Sequence, residues 1–513
     1  MSARVRSLDG FSGATLWARL RRAAEDLEQH PGTTLLIPPG DYHLRPPFAR
    51  RLRRSLMSGR LGDDPEAVIF TPYYPYETAL PVHGARECVI EASGARFILH
   101  GPMQAVELSG CENVSLRGLA VDQSPKPYTV ARVAGQGADY VDLRLPKGCG
   151  VTGRTPAPRI VPTDEAGRFL PGCMTSFSRT RLDRNTIRYF GAPALPACTG
   201  RSAVLIHSYH YRPAVYLERC QNVALEQVTL HAQYGMGLLA YRCRDVTCKK
   251  LAVRPSAGQP VSVNTDASHF SACDGQILLE DCFFSSSEDD AVNVHSYYYD
   301  PEPLEGAWVL LRVKAPTFTH SQVIDAPLPG SRLELYDPDS LCLTDSFRVL
   351  GSVPDRTRLA ARVLLDRPLP HPGLLLDAGL RPHLVVRRCT FENILTRCLL
   401  IKAHTAVVED CRFRNCPGTA IHIAPETAWR EGGAAKNVRI QNCSFFHVGF
   451  GEYGIHKNAS VLCVEGGCPR PARAVIGQVS LLRCSVSSCP SFRPQVSLSS
   501  LGRFIKTTAR LPE

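Results

Sequence analysis

Two acidic motifs hold the residues best suited to chemistry: Asn264-Thr265-Asp266, and Glu288-Asp289-Asp290 running on into Ala291-Val292-Asn293-Val294-His295. Carboxylates held a few ångströms apart cannot all ionise freely, so at least one pKa must rise, and that sets an acid beside a base. An isolated Glu-Asp-Asp is more often a solvated turn. Asp266 changes the balance, because it precedes Asp289 by 23 residues, close to one turn of a stacked repeat. Asp266, Asp289 and Asp290 are therefore the candidate catalytic groups. Calcium is the other use of such a cluster, and its ligand count is not legible in a sequence. No P-loop, dinucleotide fingerprint, CxxC pair or zinc-type His motif occurs, so no cofactor and no metal are expected.

The repeat that must position these groups is present. An eight-residue pattern, apolar at its first, third, sixth and eighth places, starts at Val114, Val223, Val246, Ile277, Leu384, Ala406, Val438 and Val479. The intervals are 109, 23, 31, 107, 22, 32 and 41 residues. Those near 22 match one coil of a right-handed parallel β-helix, whose coils stack at the spacing of neighbouring strands. The chain is thus expected to be all-β. Residues 1–122 hold an N-terminal cap and the first coils, 212–296 the central coils and 382–513 the last ones. The two long gaps, 123–211 and 297–381, contain strand-like alternation at Tyr140 and Ser331 and are expected to be inserted small β modules. Leu16, Leu20, Ala23, Ala24 and Leu27 share one helical face, stopped by Pro31-Gly32, and form the cap, with Thr33 to Leu44 as first strand and turn.

Attributing eight extra residues to a loop at Arg254–Val261 puts Asp266 and Asp289 at equivalent places on adjacent coils. Alternation then turns Val292 and Val294 inward, above Leu399 and Ile401 and then Ile421 and Ile423. Asn293 and His295 face outward beside Lys402 and His422, making a polar surface strip next to the aspartates. Taken singly, His295 reads as a hydrogen-bonded surface histidine and Lys402 as a solvated charge; shared placement makes both candidates. Asn264, Asn293, His295, Lys402, His422, Glu426, Trp429 and Glu431 are the expected substrate-binding residues, Trp429 because an indole can stack on the apolar face of a sugar.

Composition bounds the partners. With 44% hydrophobic and 21% charged residues among 513, a large core is affordable and wholesale disorder excluded. The net charge of +11 would suit nucleic acid or an acidic polysaccharide, yet in the densest basic stretch, Arg45 to Arg60, no aromatic is interleaved among Arg50, Arg51, Arg53 and Arg54, and it reads as a solvated loop, so no nucleic acid is expected. No apolar run is long enough for a membrane span. The start lacks an apolar leader, which fits the cytoplasm, or a secreted or periplasmic protein whose leader was removed. Oligomeric state leaves no signal. Among the 20 cysteines, Cys282, Cys389, Cys411, Cys443 and Cys484 fall at the sixth place of the pattern and are expected to be reduced core residues rather than disulfides.

At the acidic motifs the sequence resembles glycoside hydrolase family 110, the inverting, metal-independent α-1,3-galactosidases that remove galactose of the blood group B type. The match runs from Tyr234-Gly235-Met236-Gly237 through Asn264 to Phe270 and Glu288 to His295, resuming at Trp429-Arg430-Glu431. The resemblance implies a galactose-terminated oligosaccharide as substrate, β-barrel-like insertions in a β-helix, and a catalytic trio at Asp266, Asp289 and Asp290. Asp289 is expected as acid, with Asp266 and Asp290 sharing the water. A polygalacturonase-like hydrolase also carries Asn-Thr-Asp followed by Asp-Asp, but its Gly-His-Gly and Arg-Ile-Lys are missing here. A noncatalytic carbohydrate-binding β-helix would have no use for matched acids, and a calcium-dependent polysaccharide lyase would need an Arg or Lys base beside metal carboxylates.

Overall fold

The computed structural model describes residues 4–192, 195–313, 323–451, 459–472, 475–489, 495–496 and 501–508. Its body is a parallel β-helix of three sheets. Register sets the eight pattern starts side by side in one of them, Val114 against Val223, then Val246, Ile277, Leu384, Ala406, Val438 and Val479.

The polar corner of each repeat has a backbone cause. The fifth place adopts the left-handed conformation in coil after coil: Gln227, Lys250, Asp281, Arg388, Asp410, Asn442 and Arg483 all have φ between 48° and 56°. One left-handed residue swings the chain from the first sheet to the second, and the polar side chain there stays outside. The sixth place then points in. Cys282, Cys389, Cys411 and Cys443 are buried free thiols and Cys484 is half-buried. The Cys282 and Cys389 thiols approach carbonyls of the preceding coil, Cys248 and Leu279, at 3.3 and 3.4 Å. At the eighth place Phe284, Phe391, Phe413 and Phe445 stack face to face, with centroids 5.3, 4.8 and 4.8 Å apart. Equivalent residues on a stacked coil have no other direction in which to point.

The helix Leu16–Gln29, capped by the Thr15 hydroxyl, buries Leu20, Ala23, Ala24 and Leu27 against the first coils. Two expectations fail at this end. The strand order begins earlier, at Arg4–Ser7, which pairs with Thr33–Leu36. The basic stretch is not a solvated loop: Pro47–Met57 is a helix whose Ala49, Leu52 and Leu56 are buried, an apolar stripe that the surrounding arginines obscure in the sequence.

Six antiparallel strands from Tyr128 to Ile206 form a closed barrel between the coils. A second ring grows out of the helix itself. The strand Val292–Pro303 starts in the third sheet, then pairs with Trp308–Arg312 on one side and Leu374–Asp377 on the other, and antiparallel strands between them complete the ring. Among the described residues no helix is long and apolar enough to cross a membrane.

Candidate active site

The third sheet supplies the floor. Ser268 lies level with Val292, and Val292 with Leu399. Counting back two places puts Asp266, Asp290 and Arg397 in one row across three coils. This corrects the expected register, which had matched Asp266 with Asp289. Val253 is level with Phe284, so the loop after Val253 adds seven residues, not eight, and Asp289 sits one place before the row. The Asp290 N–H donates to Asp266 Oδ1 at 3.2 Å, tying the two coils together.

One oxygen from each of Asp266, Asp289 and Asp290 lies within 4.8 Å of the others. Their surroundings differ. Asp289 is half-buried; it accepts from the Tyr209 hydroxyl, and the Thr396 hydroxyl lies 2.9 Å from its Oδ1. That Thr396 hydroxyl is also 2.8 Å from Asp290 Oδ1, where the Arg397 Nε donates at 2.8 Å. Burial, helped by Asp289 and Asp266 and opposed by Arg397, pushes Asp290 up to about 8. Asp266 is driven well above the carboxylate range, by burial first and then by Asp289 and Glu431. Asp266 and Asp290 are therefore the two carboxyls pushed towards their protonated forms.

The neighbouring side chains form an alternating chain of charge. The second arm of Arg397 reaches Glu426 at 2.8 Å. Lys402, its side chain 0% exposed, contacts Glu426 and Glu431 at 2.8 Å each, and Asn293 donates to Glu431 at 3.2 Å. Burial alone would raise Glu426, but Arg397 and Lys402 outweigh it and hold it at about 2. Burial would lower Lys402, but Glu426 and Glu431 keep it high.

The expected surface strip is instead roofed over: Asn293, His295 and Lys402 are all buried. The cover comes from the strand Glu431–Gly432, which pairs with Ser296 and Tyr297, and from residues beside the first barrel. Arg159 lies over the Tyr209 ring at 3.8 Å and donates to the Glu288 carbonyl at 2.6 Å. Asn264 is buried and donates to the Ser208 carbonyl at 2.7 Å, so it fastens the cover to the floor. Glu288 is fully buried. Burial raises its pKa well above normal, and neither of its oxygens finds a hydrogen-bond partner among the described residues. His422 pairs with Glu465 at 2.8 Å, two coils from Asn293, in a separate cluster with Cys463. Trp429 closes a one-turn helix, Thr427–Trp429, and is 48% exposed.

Sequence reasoning missed Tyr209, Arg159, His269, Thr396 and Arg397. Arg397 had a usable signal, since it precedes Leu399 by the same two places as Asp290 precedes Val292. Tyr209 and Arg159 had none, because they enter from the insertion. Among the described residues, His269, His295 and Glu431 also bring ligand-type atoms within 4.8 Å. Here and in the aspartate trio, the polar atoms already bond one another or neighbouring hydroxyls and N–H groups.

No family model matches the chain. Curated relatives do. An alpha-1,3-galactosidase A of Shewanella woodyi is 23% identical over 467 residues, 85% of this chain and 74% of that protein. The alpha-1,3-galactosidase A of Bacteroides fragilis is 24% identical, over 76% of this chain and 71% of its own. The alpha-1,3-galactosidase B of Akkermansia muciniphila is 25% identical over 83% of this chain, but only 55% of that protein is matched. Among solved structures, the pectate lyase Pel9A overlays with a TM-score of 0.34 at 10% identity, covering 95% of this chain and 78% of its own. That score is too low to support any reading.

Proposed function

We propose that the chain is an exo-acting glycoside hydrolase that removes terminal α-1,3-linked galactose from oligosaccharides or glycoconjugates. The observation that carries the reading is the aspartate trio, drawn from two adjacent coils, with Asp266 and Asp290 buried and pushed towards their protonated forms and the half-buried Asp289 beside them. The names of the relatives and the resemblance at the motifs support galactose as the sugar. Asp289 is assigned as the acid: it is the least buried of the three and has hydroxyls on both oxygens. Asp266 and Asp290, level with one another, share the water.

Inversion is the finer part of the proposal and comes from the resemblance. One specific observation favours retention instead. Inverting carboxyl pairs stand roughly 6.5–9.5 Å apart and retaining pairs about 5–5.5 Å, and here oxygens from all three lie within 4.8 Å. The product anomer decides. Proton NMR of Galα1-3Gal, with and without a fucosyl branch and with a chelator present, should show β-galactose first. An initial α-anomer means retention, and no galactose release from either substrate sinks the hydrolase reading. Asp289→Asn should abolish turnover with unfolding temperature preserved; if every measured property survives, the site is a binding surface.

A further inference from the structure

We propose that His269 is a positioning residue: it takes up the proton that Asp266 would otherwise keep, and His295 fixes which ring nitrogen does so. The proposal rests on the reading of Asp266 as a water-activating carboxylate.

His295 Nε2 can only accept. His295 Nδ1 lies 2.6 Å from the Ser296 carbonyl, so Nδ1 carries the hydrogen. Burial holds this histidine at about 3 despite nearby Glu431, so the ring is neutral near pH 7 and its Nε2 is a bare lone pair. His269 Nε2 lies 2.7 Å from that lone pair and must donate to it. The other nitrogen, His269 Nδ1, faces Asp266 Oδ2 at 2.6 Å. Two forms keep this last bond: a protonated Asp266 donating to a neutral ring, or an imidazolium donating to a carboxylate. Each has one proton on the line and no net charge.

The 2.7 Å between the two Nε2 atoms also favours a proton over an ion, since two ligands of a tetrahedral zinc at about 2.0–2.1 Å each would stand about 3.4 Å apart. Other charged groups around the line are Asp289 and Glu431, which raise Asp266, His210 and Arg397, which lower it, and Lys402 beside His295; Asp290 donates its N–H to Asp266 Oδ1. The two acids Asp289 and Glu431 near the line make an imidazolium at His269 the favourable place for the shared proton.

The catalytic step then balances. Asp266, as carboxylate, takes a proton from water while the water oxygen bonds to the anomeric carbon. Asp289 gives its proton to the leaving oxygen as the glycosidic bond breaks. One proton enters the cluster and one leaves, and exchange with solvent returns the surplus from Asp266 to Asp289.

The test uses the full chain labelled with 15N-histidine, with the His269 signals identified by their loss in His269→Asn. Long-range proton–nitrogen spectra from pH 5 to 8 should show His295 neutral with hydrogen on Nδ1 and His269 as imidazolium at pH 7. A His269 ring neutral throughout, or a His295 hydrogen on Nε2, overturns the proposal. The second readout is the pH profile of kcat/KM on Galα1-3Gal. Asn at 269 preserves an N–H near the Nδ1 position but stores no proton. Both His269→Asn and His269→Ala should lose at least about tenfold in kcat, with KM little changed and the acid limb moved to higher pH. A His269→Asn enzyme with the wild-type profile would show a merely structural role. If the wild type releases no galactose, the functional reading falls, and the spectra alone decide where the proton sits.

Discussion

Replacing Lys402 by Met tests whether the charge chain under the site is structural. The ammonium is fully buried and makes 2.8 Å contacts with Glu426 and Glu431. At an effective dielectric of about 20, each contact supplies roughly 6 kcal/mol of attraction, most of it offset by the desolvation of three charges. Methionine keeps the volume but takes the shared cation from two half-buried carboxylates, of which Glu426 keeps Arg397 at 2.8 Å, so the expected cost is about 3–5 kcal/mol, carried mainly by Glu431. For 513 residues, at about 2.1 cal/mol/K each, this lowers Tm by roughly 3–5 °C. The pH dependence has a definite sign. Glu426 is held at about 2 against an ordinary 4.5, so in the wild type its stabilising contribution is present above pH 4.5 and lost as pH falls towards 2. Without Lys402 both glutamates take protons at higher pH, which relieves the charge that Lys402 had balanced. The Tm gap between wild type and variant should therefore narrow from pH 7 down to 4.5, and 1 M salt should change it little because the ammonium is fully buried. Scanning fluorimetry across that range checks this. A gap under about 1 °C at pH 7, or one that salt removes, would refute the reasoning and return Lys402 to a solvated charge.

Gly418→Ala should cripple the site from behind. A Cβ there would stand 1.4 Å from the Thr396 carbonyl oxygen, and displacing Thr396 disturbs both Asp289 and Asp290, so kcat on Galα1-3Gal should fall about 10²-fold; Gly10→Ala, with nothing within 4 Å of the added atom, is the unaffected control. Phe391→Ala opens the aromatic stack between Phe284 and Phe413 and should cost about 3–5 kcal/mol in denaturant unfolding. A loss below about 1 kcal/mol would mean that the stack collapses to fill the gap.

The coil architecture was legible because a stacked repeat writes its period into the chain: the spacing of Val246, Ile277 and Leu384 and the cysteines at the sixth place record which side chains pile on one another. The motif aspartates were legible for the same reason, as far as the row. The sequence by itself thus determined the repeat, the inward set and the gathering of three carboxylates. It could not determine the loop length to one residue, and that single residue changes the partner of Asp266 from Asp289 to Asp290. Nor could it show that Arg159 and Tyr209 come in from the insertion, or that Lys402 is buried between two glutamates. Those facts depend on how separate segments close over the sheet. Burial and pairing are properties of what lies across a contact, and only the tertiary structure decides that.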